Sequence, residues 1–497
     1  MATVPTLLLG ASLPLSARGP ATPLCLPAHH LVTHGVVVGM TGSGKTGLIT
    51  VMIEEALRAA VPVLVIDVKG DLPNLMLAFP SFDPVLVAPW VESVSPNDAR
   101  SPLERALAYS QVRAQGLGSW SIGEAELRAY AAATQLRVIT PGSSAGELLH
   151  MLSSLERRSA RWDDDLESAR GALSAAVSLL LRLVGREADP AKSREHVLLC
   201  VLAERRLISG QSAELGALLA DLAKPPIESI GALDVDAFLP RSERKSLAAA
   251  LNTLLASPTL ASWRQGVTLD IGDWLEPKAA RTPAVIVSVA HLDDEERALV
   301  IGVLLEELLS WVRTLPGSAR LRALVVFDEV YGFLPPHPAN PPTKRPLVAL
   351  MKQARAYGVG VVVATQNPMD LDYRALGNAG LWCIGRLQTD ADRDRVLDGL
   401  SGVGAASAAE LARTVKRLSP RWFLMRDAHA MQGPLLLQPR WAMSFMRGPM
   451  TRNEIRAACR LERPGVHADE PNRKQNPQAE PNGGQDTQFE PIRARLS

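Results

Sequence analysis

Gly39-Met40-Thr41-Gly42-Ser43-Gly44-Lys45-Thr46 satisfies the pattern G-x-x-x-x-G-K-[ST] at every position. The spacing has a chemical reason. Glycines let successive backbone N–H groups turn inward around phosphate oxygens. The helix that must follow adds its positive N-terminal end. Lys45 then reaches the β- and γ-phosphates, and the Thr46 hydroxyl can ligate Mg²⁺. The pattern needs a strand before it and a helix after it. Val36-Val37-Val38 supplies the strand, and an amphipathic stretch from Gly44 to Ala60 supplies the helix. The nucleotide-contacting set is therefore Met40, Thr41, Gly42, Ser43, Gly44, Lys45, Thr46 and Gly47.

Outward from this loop, several apolar runs end in polar groups. Leu324-Val325-Val326-Phe327 leads into Asp328-Glu329. Nucleotide hydrolysis needs an anchor for a metal and an acceptor for a water proton, so Asp328 is expected to hold Mg²⁺ through a water and Glu329 to polarise the attacking water. Val361-Val362-Val363-Ala364-Thr365 leads into Gln366, expected to contact the γ-phosphate or that water. Leu381-Trp382-Cys383-Ile384-Gly385 leads into Arg386, an arginine able to stabilise charge on a neighbouring subunit's γ-phosphate. Arg355, Arg393 and Arg395 are the alternatives. Residues 62–67 end in Asp67, which either orders Mg²⁺ waters from behind or caps a turn.

The 497 residues carry 53 Lys and Arg against 52 Asp and Glu, a net charge of +1. Bulk charge therefore names no nucleic-acid partner; such a contact would have to be a local patch. With 47% hydrophobic and 21% charged residues the composition is that of a globular protein. Cys25, Cys200, Cys383 and Cys459 lie far apart with no Cys-x-x-Cys pair, which argues against a zinc site and a disulfide framework. A reducing cytoplasm is the expected compartment. Leu7-Leu8-Leu9 has no basic residue before it, and no apolar run reaches the length of a membrane span. His29, His30 and His34 lack ligand partners in the sequence and are expected to be structural. Asp163-Asp164-Asp165 reads as a solvated helix start.

Alternating strands and helices imply an α/β fold with a mostly parallel sheet covered on both faces. Residues 1–30 read as short strands, 31–144 as the first part of the core, and 145–280 as a mostly helical insertion. That insertion shows helix periodicity at 166–184, 194–208, 213–222 and 241–256. Residues 281–456 form the second part of the core, with strands at 283–289, 323–328, 359–364, 381–387 and 421–426 and a buried helix at 298–313. Two further strands are expected at 85–88 and 136–140. Residues 457–497 read as a disordered tail, rich from 464 onward in Pro, Asn, Gln and charge.

Taken together these segments resemble the HerA-like branch of the FtsK/HerA group of phosphate-loop ATPases. The likeness is carried by Thr33-His34-Gly35-Val36-Val37-Val38 running into the loop, Ile66-Asp67-Val68-Lys69-Gly70-Asp71 and Ala290-His291-Leu292-Asp293-Asp294. It continues in Phe327-Asp328-Glu329-Val330-Tyr331-Gly332-Phe333-Leu334-Pro335-Pro336, Lys352-Gln353-Ala354-Arg355-Ala356-Tyr357-Gly358, Ala364-Thr365-Gln366-Asn367-Pro368 and Gly385-Arg386-Leu387-Gln388-Thr389. It spans residues 31–456. The roughly 30 residues before it are too few for the N-terminal β-barrel of HerA proper. The resemblance implies a RecA-like core, ATP and Mg²⁺ as cofactors, and a ring, usually a homo-hexamer, with active sites between subunits. Members of the wider group translocate double-stranded DNA. Carried over, Lys45 and Thr46 bind phosphate and metal, Asp328 and Glu329 form the acid pair, Gln366 is the sensor, and Arg386 is the finger from a neighbour. A DNA motor would use basic stretches such as Arg157, Arg158, Arg161 and Arg241, Arg244, Lys245. The alternatives are an ATP-driven switch or assembly ATPase with a protein partner at the helical insertion, and a conjugation or secretion coupling ATPase.

Overall fold

Val, Ile and Leu runs of four to seven residues, too short for helices and apolar on both faces, become the central strands of one sheet. The computed structural model describes residues 5–461 apart from 16–19, 92–96, 98, 160, 258–260, 367, 369–370, 378, 388, 399–407 and 431–432. Among the described residues the strands are β1 (Thr6–Pro14), β2 (Thr22–Pro27), β3 (Gly35–Val38), β4 (Val63–Asp67), β5 (Thr134–Ile139), β6 (Leu149–His150), β7 (Ser229–Ile230) and β8 (Leu233–Asp234). They continue with β9 (Val267–Thr268), β10 (Thr282–Ser288), β11 (Ala323–Asp328), β12 (Val359–Thr365), β13 (Leu381–Ile384), β14 (Phe423–Asp427) and β15 (Leu435–Pro439).

Eleven of these make one sheet in the order β2-β1-β15-β14-β13-β3-β12-β11-β4-β10-β5. From β13 to β5 every neighbouring pair is parallel. From β13 to β2 every pair is antiparallel. The mostly parallel α/β sheet expected from the sequence is present. Parallel pairing aligns the C-terminal ends of β3, β4, β11, β12 and β13 along one edge, where the polar groups that follow these strands collect.

Side chains alternate along each strand and build two cores, one on each face. Val37, Val63, Val65, Leu324 and Val326 face Leu48, Ile49 and Met52 of helix α1 (Lys45–Arg58). Val36, Val38, Leu64, Ile66, Val325 and Phe327 face Val300, Leu304 and Leu308 of the Asp294–Thr314 helix. That long helix starts at a capping box in which Asp293 and Glu296 satisfy each other's backbone N–H groups. A third cluster, separate from the sheet, lies in the helical region: Leu173, Leu180, Leu198, Leu202, Leu218, Leu247 and Leu251. Its helices run Leu166–Leu183, Arg194–Ile208, Leu215–Ala223 and Arg241–Ala256, close to their periodic stretches in the sequence.

Three expectations are corrected. Residues 84–87 are a helical turn rather than a strand. Asp83 accepts the Val85 N–H and Pro84 sets the first helical φ, which outweighs a four-residue apolar run that fits either state. The strand expected at 381–387 stops at Ile384, because Gly385 and Arg386 turn to brace the phosphate loop. The strand expected at 421–426 begins at Phe423, because Arg421 adopts φ +65° in a turn. The N-terminal strands β1 and β2 do more than lead into the fold: β1 pairs with β15 and extends the main sheet. The last described helix, Arg452–Cys459, runs beyond residue 456, where the sequence reading starts the tail; residues 462–497 lie outside the described residues. Among the described residues no helix is long and apolar enough to cross a membrane.

Candidate functional site

The phosphate loop is braced by three strand ends. Gly39 N–H donates to the carbonyl of Thr365, the last residue of β12 (3.3 Å), and Met40 N–H to the Arg386 carbonyl after β13 (2.8 Å). Ser43 in turn accepts the Arg421 N–H ahead of β14 (2.9 Å). Gly42 and Gly44 hold φ of +77° and +98°, a region closed to most side chains, so the chain can coil around an anion before α1 begins at Lys45. The Ser43 hydroxyl is buried without a hydrogen-bond partner. Lys45 folds back into the loop, its ammonium 2.5 Å from the Gly39 carbonyl and 3.1 Å from that of Met40. Burial lowers its pKa to about 8, with Glu329 and Asp328 opposing the shift and Lys69 adding to it. Thr46 and Gly47 are half-buried in the first turn of α1.

The acids lie along the same edge, two and three strands from β3. Asp328 and Asp67 end β11 and β4 in register as neighbours. Asp67 is fully buried and accepts the Ser288 hydroxyl (2.8 Å) and the Gly70 and Leu72 N–H groups (3.0 and 3.4 Å). Burial raises its pKa to about 6 despite these donors. Asp328 is 4% exposed, and its Oδ2 has no hydrogen-bond partner. Burial, then the Asp67 charge, raise its pKa to about 7, with Lys69 opposing. Burial also raises the pKa of Asp71 nearby.

Glu329 has φ +62°, a costly conformation for a residue with a long side chain. The twist is held from β12: Glu329 Oε1 accepts the Thr365 hydroxyl and the Gln366 N–H, both at 3.2 Å. Its Oε2 lies 2.5 Å from the Lys69 ammonium. The Gln366 side chain reaches the loop itself, its Oε1 accepting the Thr41 hydroxyl at 2.5 Å. Lys45, Asp328, Glu329 and Gln366 are therefore brought to one place, although residues 46–327 separate the loop from the acids.

A divalent cation fits this donor set. A buried carboxylate oxygen with no donor needs a partner, and a cation is one. Among the described residues no group of three His, Cys, Asp or Glu could hold a metal. The cation would thus take few protein oxygens and complete its shell with phosphate and water, which is the habit of Mg²⁺.

The arginines separate by position. Arg386 is exposed at the loop edge. Arg355 precedes β12 and so lies at the opposite end of the strands, beside a cavity of about 310 Å³ lined also by Thr33, Arg426 and His429. Arg393 is 5% exposed, donates to the Leu387 carbonyl (3.1 Å) and pairs with Asp390, which is a structural arrangement. Arg395 lies in the Asp390–Asp398 helix.

Elsewhere, Arg158 pairs with Asp163 (2.5 Å), Arg241 with Asp236 (3.2 Å), and the buried Arg244 also with Asp236. His34 is buried; its Nδ1 accepts the Val361 N–H at 3.1 Å, and burial lowers its pKa to about 4. His30 pairs with Asp427 at 2.6 Å and stacks on His429.

Two further groups at the site were given no role by the sequence and owe theirs to strand order. Lys69 follows the strand acid Asp67, but its bond to Glu329 depends on β4 and β11 being neighbours. Arg421 reaches the loop only because β14 lies two strands from β3.

Residues 13–107 match the family model described as helicase HerA, central domain. This supports the resemblance over that stretch, which contains the phosphate loop. Among solved structures the chain is similar to plasmid coupling protein TrwB in complex with ADP and Mg²⁺, at 14% identity, 90% of this chain, 98% of that chain and a TM-score of 0.45. VirB4 of Thermoanaerobacter pseudethanolicus is similar at 12% identity, 87% of this chain, 96% of that chain and a TM-score of 0.45. The genome packaging NTPase B204 from Sulfolobus turreted icosahedral virus 2 in complex with AMPPCP is similar at 17% identity, 34% of this chain, 71% of that chain and a TM-score of 0.23. No curated protein matches the chain.

Proposed function

We propose that the chain is an Mg²⁺-dependent ATP hydrolase of HerA type that works as a cytoplasmic ring, a homo-hexamer, on double-stranded DNA. The observation that carries the hydrolase reading is the convergence on one sheet edge of a complete phosphate loop and an acid pair, with Asp328 Oδ2 buried and unpartnered. The loop N–H groups, Lys45 and the N-terminus of α1 would bind the triphosphate. Thr46 and Asp328 would hold Mg²⁺, which when bound neutralises phosphate charge.

Glu329 is the proposed acceptor of the proton from the attacking water. Thr365 and the Gln366 N–H fix one of its oxygens, which leaves Oε2 for the water once Lys69 gives it up. A γ-phosphate bound at Lys45 supplies the competing anion for the Lys69 ammonium. Gln366, already bonded to Thr41, couples the loop to the strand that holds Glu329 and suits the sensor role. Arg386 remains the arginine proposed to stabilise γ-phosphate charge. In a ring, Arg355 at the other end of the strands is the alternative that a neighbour's site would meet.

The test is ATP turnover with and without double-stranded DNA, for wild type and Glu329→Gln, with mass by light scattering on the same samples. The expected result is a ring-sized mass, stimulation by DNA, and a fall in kcat of at least about 100-fold in the variant, within the range for loss of a general base. A DNA-indifferent monomer that still hydrolyses ATP would refute the ring and DNA parts and leave the hydrolase; its next test would be protein partners of the helical insertion. Unchanged turnover in Glu329→Gln would refute the assigned base.

A further inference from the structure

The edge that carries the phosphate loop is asymmetric. On one side of β3 lie β12, β11 and β4 with Gln366, Glu329, Asp328 and Asp67; on the other lie β13 and β14 with Arg386 and Arg421. A nucleoside triphosphate is a linear molecule with different ends. If its γ-phosphate faces the acids, its nucleoside end must point toward β13 and β14.

Arg421 is built into that side of the loop. Its N–H donates to the Ser43 carbonyl at 2.9 Å. A Cβ on Gly44 would lie 3.1 Å from both the Cα and the Cγ of Arg421, so the arginine side chain leaves the backbone directly over the loop. Arg421 holds φ +65°, a conformation that glycine adopts without cost, yet an arginine stands there. Its guanidinium lies 5.1 Å from the centre of the Trp441 ring. Trp441 is itself backed closely by the helix Pro102–Gly118, where a Cβ on Gly116 would come within 2.8 Å of the indole. Arg421 is exposed, and among the described residues no carboxylate pairs with it. In the first turn of α1, a Cβ on Gly47 would meet nothing within 4 Å.

We propose that the Arg421–Trp441 cation–π pair is the platform for the nucleoside end of the nucleotide, the base lying on the guanidinium on the side away from Trp441. The assignment rests on the phosphate-loop reading above and extends it from the phosphates to the base. A planar guanidinium held against an indole can offer a flat face to a planar base, and stacking of this kind is sequence-tolerant but strong enough to measure.

The experiment compares Mg²⁺-ATP with Mg²⁺-tripolyphosphate, which has the same three phosphates, one more ionisable oxygen and no nucleoside. Equilibrium binding is measured calorimetrically on the full chain in a Glu329→Gln background, so that turnover does not interfere. Arg421→Gly keeps the backbone conformation, and Trp441→Leu removes the support while leaving the arginine; thermal melting confirms that each variant folds. Arg421→Gly is expected to weaken ATP binding about tenfold and tripolyphosphate binding less than about twofold. Trp441→Leu is expected to change ATP binding in the same direction by a smaller factor. Equal losses for both ligands would make Arg421 a phosphate contact and overturn the proposal, as would unchanged ATP affinity in Arg421→Gly. A parent protein that binds neither ligand would overturn the phosphate-loop reading as well.

Discussion

Asp328 stands beside Asp67 in register and keeps one oxygen unpaired, so its charge is unwelcome until a cation arrives. The sign of the consequence follows from linkage. Its folded pKa, about 7, is above the ordinary 3.8, and that of Asp67 is about 6. Each group therefore contributes stability that is fully present below about pH 4 and lost as pH rises through its folded value. The nucleotide-free chain should become less stable between about pH 4 and 7, by no more than about 4 kcal/mol from Asp328. Asp328→Asn should flatten the upper part of that fall, since an amide has no proton to lose. Mg²⁺ should raise the melting temperature more at pH 8 than at pH 6, because metal and proton compete for the same carboxylate. Melting curves against pH, with and without Mg²⁺, check both statements. A variant with an unchanged pH slope would remove Asp328 as its source.

Helix α1 does more than present Lys45. Glu54 on its buried face accepts the Met443 N–H, the Ser444 N–H and the Ser444 hydroxyl, each at 2.9 Å, and pairs with Arg440 at 3.0 Å. Glu55 pairs with the same Arg440 at 2.8 Å and accepts the Leu8 N–H of β1 at 2.9 Å. The phosphate-loop helix is thus tied to β1 and to the segment after β15, with both ends of the Glu54–Arg440 pair fully buried. A buried pair adds little over an apolar replacement of both partners, but removing one leaves an uncompensated charge. Arg440→Met should therefore cost about 3–5 kcal/mol in denaturant unfolding. Combining it with Glu54→Gln should recover part of that loss. If the single and double variants are equally destabilised, charge is not the cause.

At the scale of the whole chain, near-zero net charge leaves DNA contact to local patches. The structure narrows the choice: Arg244 of the insertion is buried in an ion pair with Asp236, whereas Arg158 and Arg241 form exposed pairs that a phosphate can displace. With near-zero net charge, DNA affinity should depend on a local patch and few phosphates, and its logarithm should fall with log salt at a slope near −0.9 per phosphate contact. A slope of about −2 to −4 between 50 and 200 mM salt is expected for one chain's contribution. No salt dependence would refute phosphate-backbone binding and favour a protein partner for the insertion.

Local chemistry was enough for much of this protein. The loop Gly39–Thr46, the apolar run into Asp328-Glu329 and the run into Gln366 are contiguous signals, and their helix or strand neighbours follow from short-range periodicity. The helices of the insertion were legible for the same reason. The run at 85–88 was misread because four apolar residues carry no period, and the Asp83 cap decided it. Strand order was beyond local signals, since each pairing joins segments far apart in the chain. That order alone put Asp67 beside Asp328, gave Lys69 to Glu329, set Arg386 against its own loop and brought Arg421 and Trp441 to the loop's far side. Residue types were written in the sequence; their distances and their altered proton affinities came from long-range packing, which excludes water and brings like charges together.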